Sequence, residues 1–148
     1  MLERGLRYLA YRPRSESEVR NYLLGLGGSP DAVENTLAKL RSLNYLNDKS
    51  FARQWALSRA QNRGYGPWRI EKELETKGIS PPLAREIARE TFAGQDEAAF
   101  AKRLLDKRFK EQDLKEPTTL RRAAAFLQRR GYSAKVIFDL LKCSIDED

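Results

Sequence analysis

The sequence predicts an all-α protein: three tandem three-helix repeats forming an elongated array, straight or curved. Three observations carry this prediction, the first two being a glycine turn that recurs three times at near-equal spacing and apolar residues at helical period on both sides of each turn. The third is an absence, since no run of β-branched residues alternates with polar ones over a useful length.

The turns are Gly27-Gly28-Ser29-Pro30, Gly78-Ile79-Ser80-Pro81 and Gly131-Tyr132-Ser133-Ala134, spaced 51 and 53 residues apart. Glycine suits the left-handed end of a helix, serine two residues later suits the cap of the next, and proline suits a first helical turn. Each turn therefore reads as helix, stop, helix. Twelve residues before each leading glycine stand Ser15, Gly66 and Thr119, all acceptable caps; Ser15 with Glu18 makes a capping box, and Pro67 follows Gly66.

Taken in order, the first helix of each unit is marked by Leu2, Leu6 and Leu9, then by Phe51, Ala52, Trp55 and Ala56, then by Phe100, Leu104 and Leu105. Second helices carry Val19, Tyr22, Leu23 and Leu26, with Ile70 and Leu74, then Ala123 and Leu127, at equivalent places. Third helices follow the turns through Val33, Leu37 and Leu40, then Leu83 and Ile87, then Val136 or Ile137 with Leu140 and Leu141. The predicted repeats are 1–46, 47–93 and 94–148. Helix continuity is expected to fail at Gly94 and across Lys110 to Thr118, where Glu116-Pro117 intervenes.

Composition narrows the chemistry. With 41% hydrophobic and 33% charged residues the chain has material for a core and none to spare for a lipid-facing body. No apolar run approaches the ~20 residues of a spanning helix, and the opening residues carry Glu3, Arg4 and Arg7, so the sequence points to the cytosol. Cys143 is the sole cysteine and histidine is absent, which rules out an internal disulfide, zinc sites of the usual kind and histidine bases. No phosphate-loop pattern is present, so no cofactor is expected. An enzyme would have to work with carboxylates, Lys or Tyr, and pairs such as Glu71 with Glu75 read more simply as exposed helix residues.

A net charge of +7 suggests a polyanion or an acidic protein surface as partner. Residues 48–77 hold seven basic and four acidic side chains, and residues 95–130 hold ten and six, whereas 30–47 and 78–92 balance to zero. The positive excess thus falls on first and second helices. A stand-alone helix-turn-helix transcription factor, the alternative reading of the same turns, would need cations on the helices after them. The surface expected to meet a partner is made of Arg53, Arg59, Arg63, Tyr65, Trp68, Arg69 and Lys72, with Arg12 and Arg14 in the first unit and Arg121 and Arg122 in the third. Trp55 shares a face with Phe51 and is assigned to the core, while Trp68 lies off the Ile70 and Leu74 face.

Tyr45-Leu46-Asn47-Asp48, Phe51-Ala52, Arg59, Gly64, Gly66-Pro67, Ile70, Glu73-Leu74 and Lys77-Gly78-Ile79 together resemble the central signature of the RecX family of recombinase regulators. Arg12, Arg14-Ser15, Glu18-Val19 and Leu23 are similar to its first repeat, and the likeness runs, less specifically, through the third. Asn47 stands where the family often has Asp, and Trp68 where a small or basic residue is common. The resemblance implies a non-enzymatic protein, monomeric by default. It would lie in the helical groove of the RecA–DNA filament, restrain ATP hydrolysis, strand exchange and filament growth, and leave direct contact with DNA as an open second interaction.

Overall fold

The computed structural model describes residues 1–93 and 97–146, with side chains through Lys142. The break expected at Gly94 and the side chain of Cys143 lie outside the described residues. Among them the secondary structure is entirely helical: α1 (Leu2–Tyr11), α2 (Glu16–Gly25), α3 (Pro30–Ser42), α4 (Asp48–Arg63), α5 (Pro67–Thr76), α6 (Pro81–Phe92), α7 (Glu97–Arg108), α8 (Pro117–Arg129) and α9 (Ala134–Asp146). The helices pack in threes: α1 to α3 on one another, α4 to α6 likewise, and α7 to α9 likewise.

The three corners are built alike. Gly27, Gly78 and Gly131 hold φ of +93°, +86° and +95°, a region that costs any residue with a Cβ. After each, the next amide reaches back to the helix it has left: Gly28 N to Leu23 O at 3.2 Å, Ile79 N to Leu74 O at 3.0 Å and Tyr132 N to Leu127 O at 3.2 Å. Carbonyls that a helix end would leave bare are thereby satisfied.

Caps follow the sequence in most places. Ser15 and Glu18 form the reciprocal capping box; Ser29 accepts from the Ala32 amide at 3.2 Å, and Ser133 from Val136 at 3.3 Å. Two expectations are corrected. Ser80 makes no side-chain cap bond, its helix instead opening on Pro81. Thr119 is not a cap: α8 starts on Pro117 behind Glu116, because the fixed φ of proline nucleates the helix a turn early, so Thr119 is its third residue and is buried.

Apolar side chains collect in two cores rather than three. Val19, Leu23, Val33, Leu37, Leu40 and Leu46 fill the first unit, with Leu2, Leu6 and Leu9 against them. The second core runs without interruption from Phe51 and Ile70 through Ile87 and Phe100 to Leu127 and Leu141. Between units the contacts obey one rule: the corner of a unit seats on the N-terminus of the preceding unit's second helix. Ser15 Oγ donates to Lys77 O at 2.6 Å, and at the next joint Gly66 N donates to Arg130 O at 2.7 Å and Trp68 N to Gly131 O at 3.1 Å. The carbonyl end of α5 meets the amide end of α2, and that of α8 meets α5, so helix dipoles are aligned head to tail.

Candidate partner-binding surfaces

Most of the cations singled out in the sequence have partners within the chain, although Arg53 and Lys72 stay about half exposed. Arg53 donates two bonds to Glu90, at 2.8 and 3.0 Å. Arg59 Nε lies 3.1 Å from Glu73, and its guanidinium stacks 4.3 Å above the Trp55 ring. Arg69 covers Tyr65 at 3.9 Å, donates to Arg129 O at 3.1 Å and lies 3.9 Å from Glu73. Lys72 pairs with Glu75 at 3.4 Å and reaches over Trp68 at 5.9 Å. In the first unit Arg12 pairs with Glu18 at 2.6 Å, while Arg14 stacks at 4.0 Å on Tyr8, itself stacked on Tyr22 at 3.9 Å. Arg122 donates to Gln112 at 3.3 Å.

Glu73 organises this region. It accepts from Trp55 Nε1 at 3.0 Å and holds Arg59 and Arg69, while Lys77 also lies over the Trp55 ring at 4.7 Å. Trp55 does pack on the core, as its spacing with Phe51 implied, but its indole edge belongs to a half-buried charged cluster. The sequence gives no hint of that cluster, because Glu73 lies 14 residues from Arg59 on another helix.

Arg63 keeps its side chain exposed, and it shares a notch with four cations that sequence reasoning passed over. Arg63, Arg103, Lys107, Arg108 and Arg130 line a depression of about 980 Å³ between the end of α4 and helices α7 and α8, with no carboxylate in its wall. Arg103 lies 4.6 Å from the Phe100 ring and Arg130 5.0 Å from Phe126, so aromatic faces hold part of this charge in place. Arg130 also donates to Arg63 O, and Tyr132 OH donates to Gly64 O at 2.9 Å, fixing α4 against the third corner. Converging cations without counter-charge repel one another, and a phosphate-bearing or carboxylate-rich ligand would relieve that repulsion. Trp68 and Arg121 meet elsewhere, in a second groove between α5, α6, α8 and α9.

Two titratable groups mark the joints. Burial works against ionisation of Glu18, but the Arg12 bond, the Ser15 amide and nearby Lys77 outweigh it and hold the carboxyl below its ordinary value. Burial first, and the carboxylate of Glu97 second, push the Tyr132 phenol up to about 12. Among the described residues no group of acidic or cysteine side chains could hold a metal, and no helix is long and apolar enough to cross a membrane.

Fold and surface define a class: helical-repeat proteins with a cationic notch and an apolar groove on their surface. Comparison with known proteins makes the class specific. Residues 2–40 match the family model described as the first three-helix domain of RecX, and residues 47–87 match that of its second three-helix domain. The chain is 33% identical to a regulatory protein RecX of Corynebacterium efficiens, over 97% of this chain and 71% of that one, and 30% identical to one of Trichlorobacter lovleyi, over 93% and 90%. A relative from Bacillus subtilis is 31% identical, and the chain spans about half, 53%, of its length. The crystal structure of RecX from Lactobacillus salivarius superposes with a TM-score of 0.83 at 23% identity, over 99% of this chain and 95% of that one. This chain belongs to the RecX family of regulatory proteins.

Proposed function

We propose that the protein binds the RecA–DNA filament in its helical groove and restrains its ATPase, strand exchange and growth in recombination and repair. The array of three units, read as 1–46, 47–93 and 94–148, can touch neighbouring protomers at once, and linked contacts raise effective concentration. The observation that carries the reading is the carboxylate-free notch of Arg63, Arg103, Lys107, Arg108 and Arg130, which suits the phosphates of filament-bound DNA or an acidic protomer face. No chemistry of the protein's own is part of this role, and ATP belongs to the partner. The third helices α3 and α6 remain without excess cations, which disfavours the helix-turn-helix alternative.

The test is the single-stranded-DNA-dependent ATPase of the cognate recombinase. Wild-type protein is expected to lower it well below stoichiometry for DNA. Reversing Arg63, Lys107 and Arg108 to Glu is expected to weaken inhibition by about tenfold or more while helical content stays unchanged, since three phosphate contacts also set the salt dependence. Full inhibition by that variant would remove the notch from the contact surface, and specific duplex binding without the recombinase would favour the transcription-factor reading.

A further inference from the structure

The groove that holds Trp68 and Arg121 is unlike the cationic notch. It is about 1210 Å³, and its floor is apolar: Ala88 of α6, Leu120 and Ala124 of α8, Ile137 of α9. Trp68 and Phe138 stand at its lips with 60% and 64% of their surface exposed. Isolated apolar residues on a surface need no explanation, but two large aromatics flanking one apolar trough do.

Charge around the trough is unequal. Glu71 is engaged by Arg85 at 3.7 Å, and Glu97 accepts from the Ser133 amide at 3.0 Å. Arg89, Arg121 and Lys142, also lining the groove, make no ion pair among the described residues. Arg85, Arg89, Arg121 and Lys142 thus line the groove against Glu71 and Glu97, a positive excess whose unpaired cations sit on three different helices. The occupant must also satisfy its own backbone, because the described residues offer no strand edge to pair with an extended peptide.

We infer that this groove is a docking site for an amphipathic helix of a protein partner, one with an apolar stripe at i, i+4 and i+7 and acidic side chains along its flanks. The stripe fills the trough between Trp68 and Phe138, and the flanking carboxylates meet Arg89, Arg121 and Lys142. This stands apart from the filament reading: it needs no DNA and uses none of the notch cations.

The probe is a fluorescently labelled, helix-stabilised peptide with Leu on one stripe and Glu on its flanks, titrated against the full chain. Saturable binding is expected, weakened about tenfold by the Arg89→Glu, Arg121→Glu double substitution and comparably by Phe138→Ser, with circular dichroism unchanged. The same stripe flanked by Lys is expected not to bind. Equal binding of the Lys peptide, or of an acidic peptide with its stripe scrambled, would overturn the inference, as would no binding at all. Should sedimentation show a dimer that Phe138→Ser dissolves, the occupant is a second copy of this chain and the inference falls. Lys142→Glu, at an exposed position on the last helix, gives a milder check of the same rim.

Discussion

The two joints between units follow one geometric rule with different materials. At the first, side chains do the joining: Ser15 Oγ reaches Lys77 O, Glu18 lies 3.7 Å from Lys77 Nζ, and Asp48 accepts from the Glu16 amide at 2.8 Å. At the second, backbone meets backbone through Gly66, Trp68 and Gly131, with Tyr132 buried beside them. The first joint lies between two separate cores, whereas the second lies within one. A repeat can thus preserve its docking geometry while replacing the groups that enforce it, and the joint made of backbone is the less tolerant of change.

The sharpest contrast comes from Gly131→Ala. A Cβ there would sit 2.4 Å from Arg69 Cβ and 2.5 Å from Arg69 N, at a φ that already disfavours it. Strain and overpacking together should cost about 3 to 5 kcal/mol, read by urea unfolding. Ser15→Ala comes next, at about 1 to 2 kcal/mol, since it removes a cap and the bond across the first joint. The loss should appear as greater amide exchange in α2 with the second core undisturbed. Gly27→Ala shares the conformation of Gly131 but has open space around its Cβ, so backbone strain alone, about 1 kcal/mol, is expected. Equal effects at Gly27 and Gly131 would show that the corner matters for its turn and not for its docking.

Acidity should separate the joints more gently. Glu18 has its folded pKa below the unfolded value, so its contribution is present above about pH 4.5 and is lost as pH falls further, loosening the first joint. Tyr132 has its folded pKa raised, so its contribution is intact below about pH 10 and is lost between 10 and about 12, loosening the second. Amide exchange followed at both extremes checks the order, and Tyr132→Phe should abolish the alkaline limb alone.

The corners were legible because glycine, serine and proline carry local instructions, and the apolar period gave each helix its inward face. The role of those corners as caps for a neighbouring helix was not legible, since Lys77 and Ser15 lie 62 residues apart. Thr119 was misplaced because the twelve-residue register was weighed above Pro117, which starts a helix wherever the chain permits. The pairing of the basic residues was not legible either: cations advertise themselves in a sequence, but the carboxylates that pair with them come from other helices, as Glu73 and Glu90 do. The notch escaped because its cations lie at positions 63, 103, 107, 108 and 130.

The early start of α8 sets the third unit apart from the other two. A turn of helix from Pro117 to Thr119 stands where α2 and α5 have their caps Ser15 and Gly66, so the second helix of the third unit begins differently from the two whose N-termini take part in the joints. At the first corner an added Cβ on Gly27 would meet nothing within 4 Å, whereas one on Gly28 would run into Met1. The result is like a course of dressed stones in which the last has its bedding face cut to another pattern: the corner is copied three times, the helix end that receives a corner only twice.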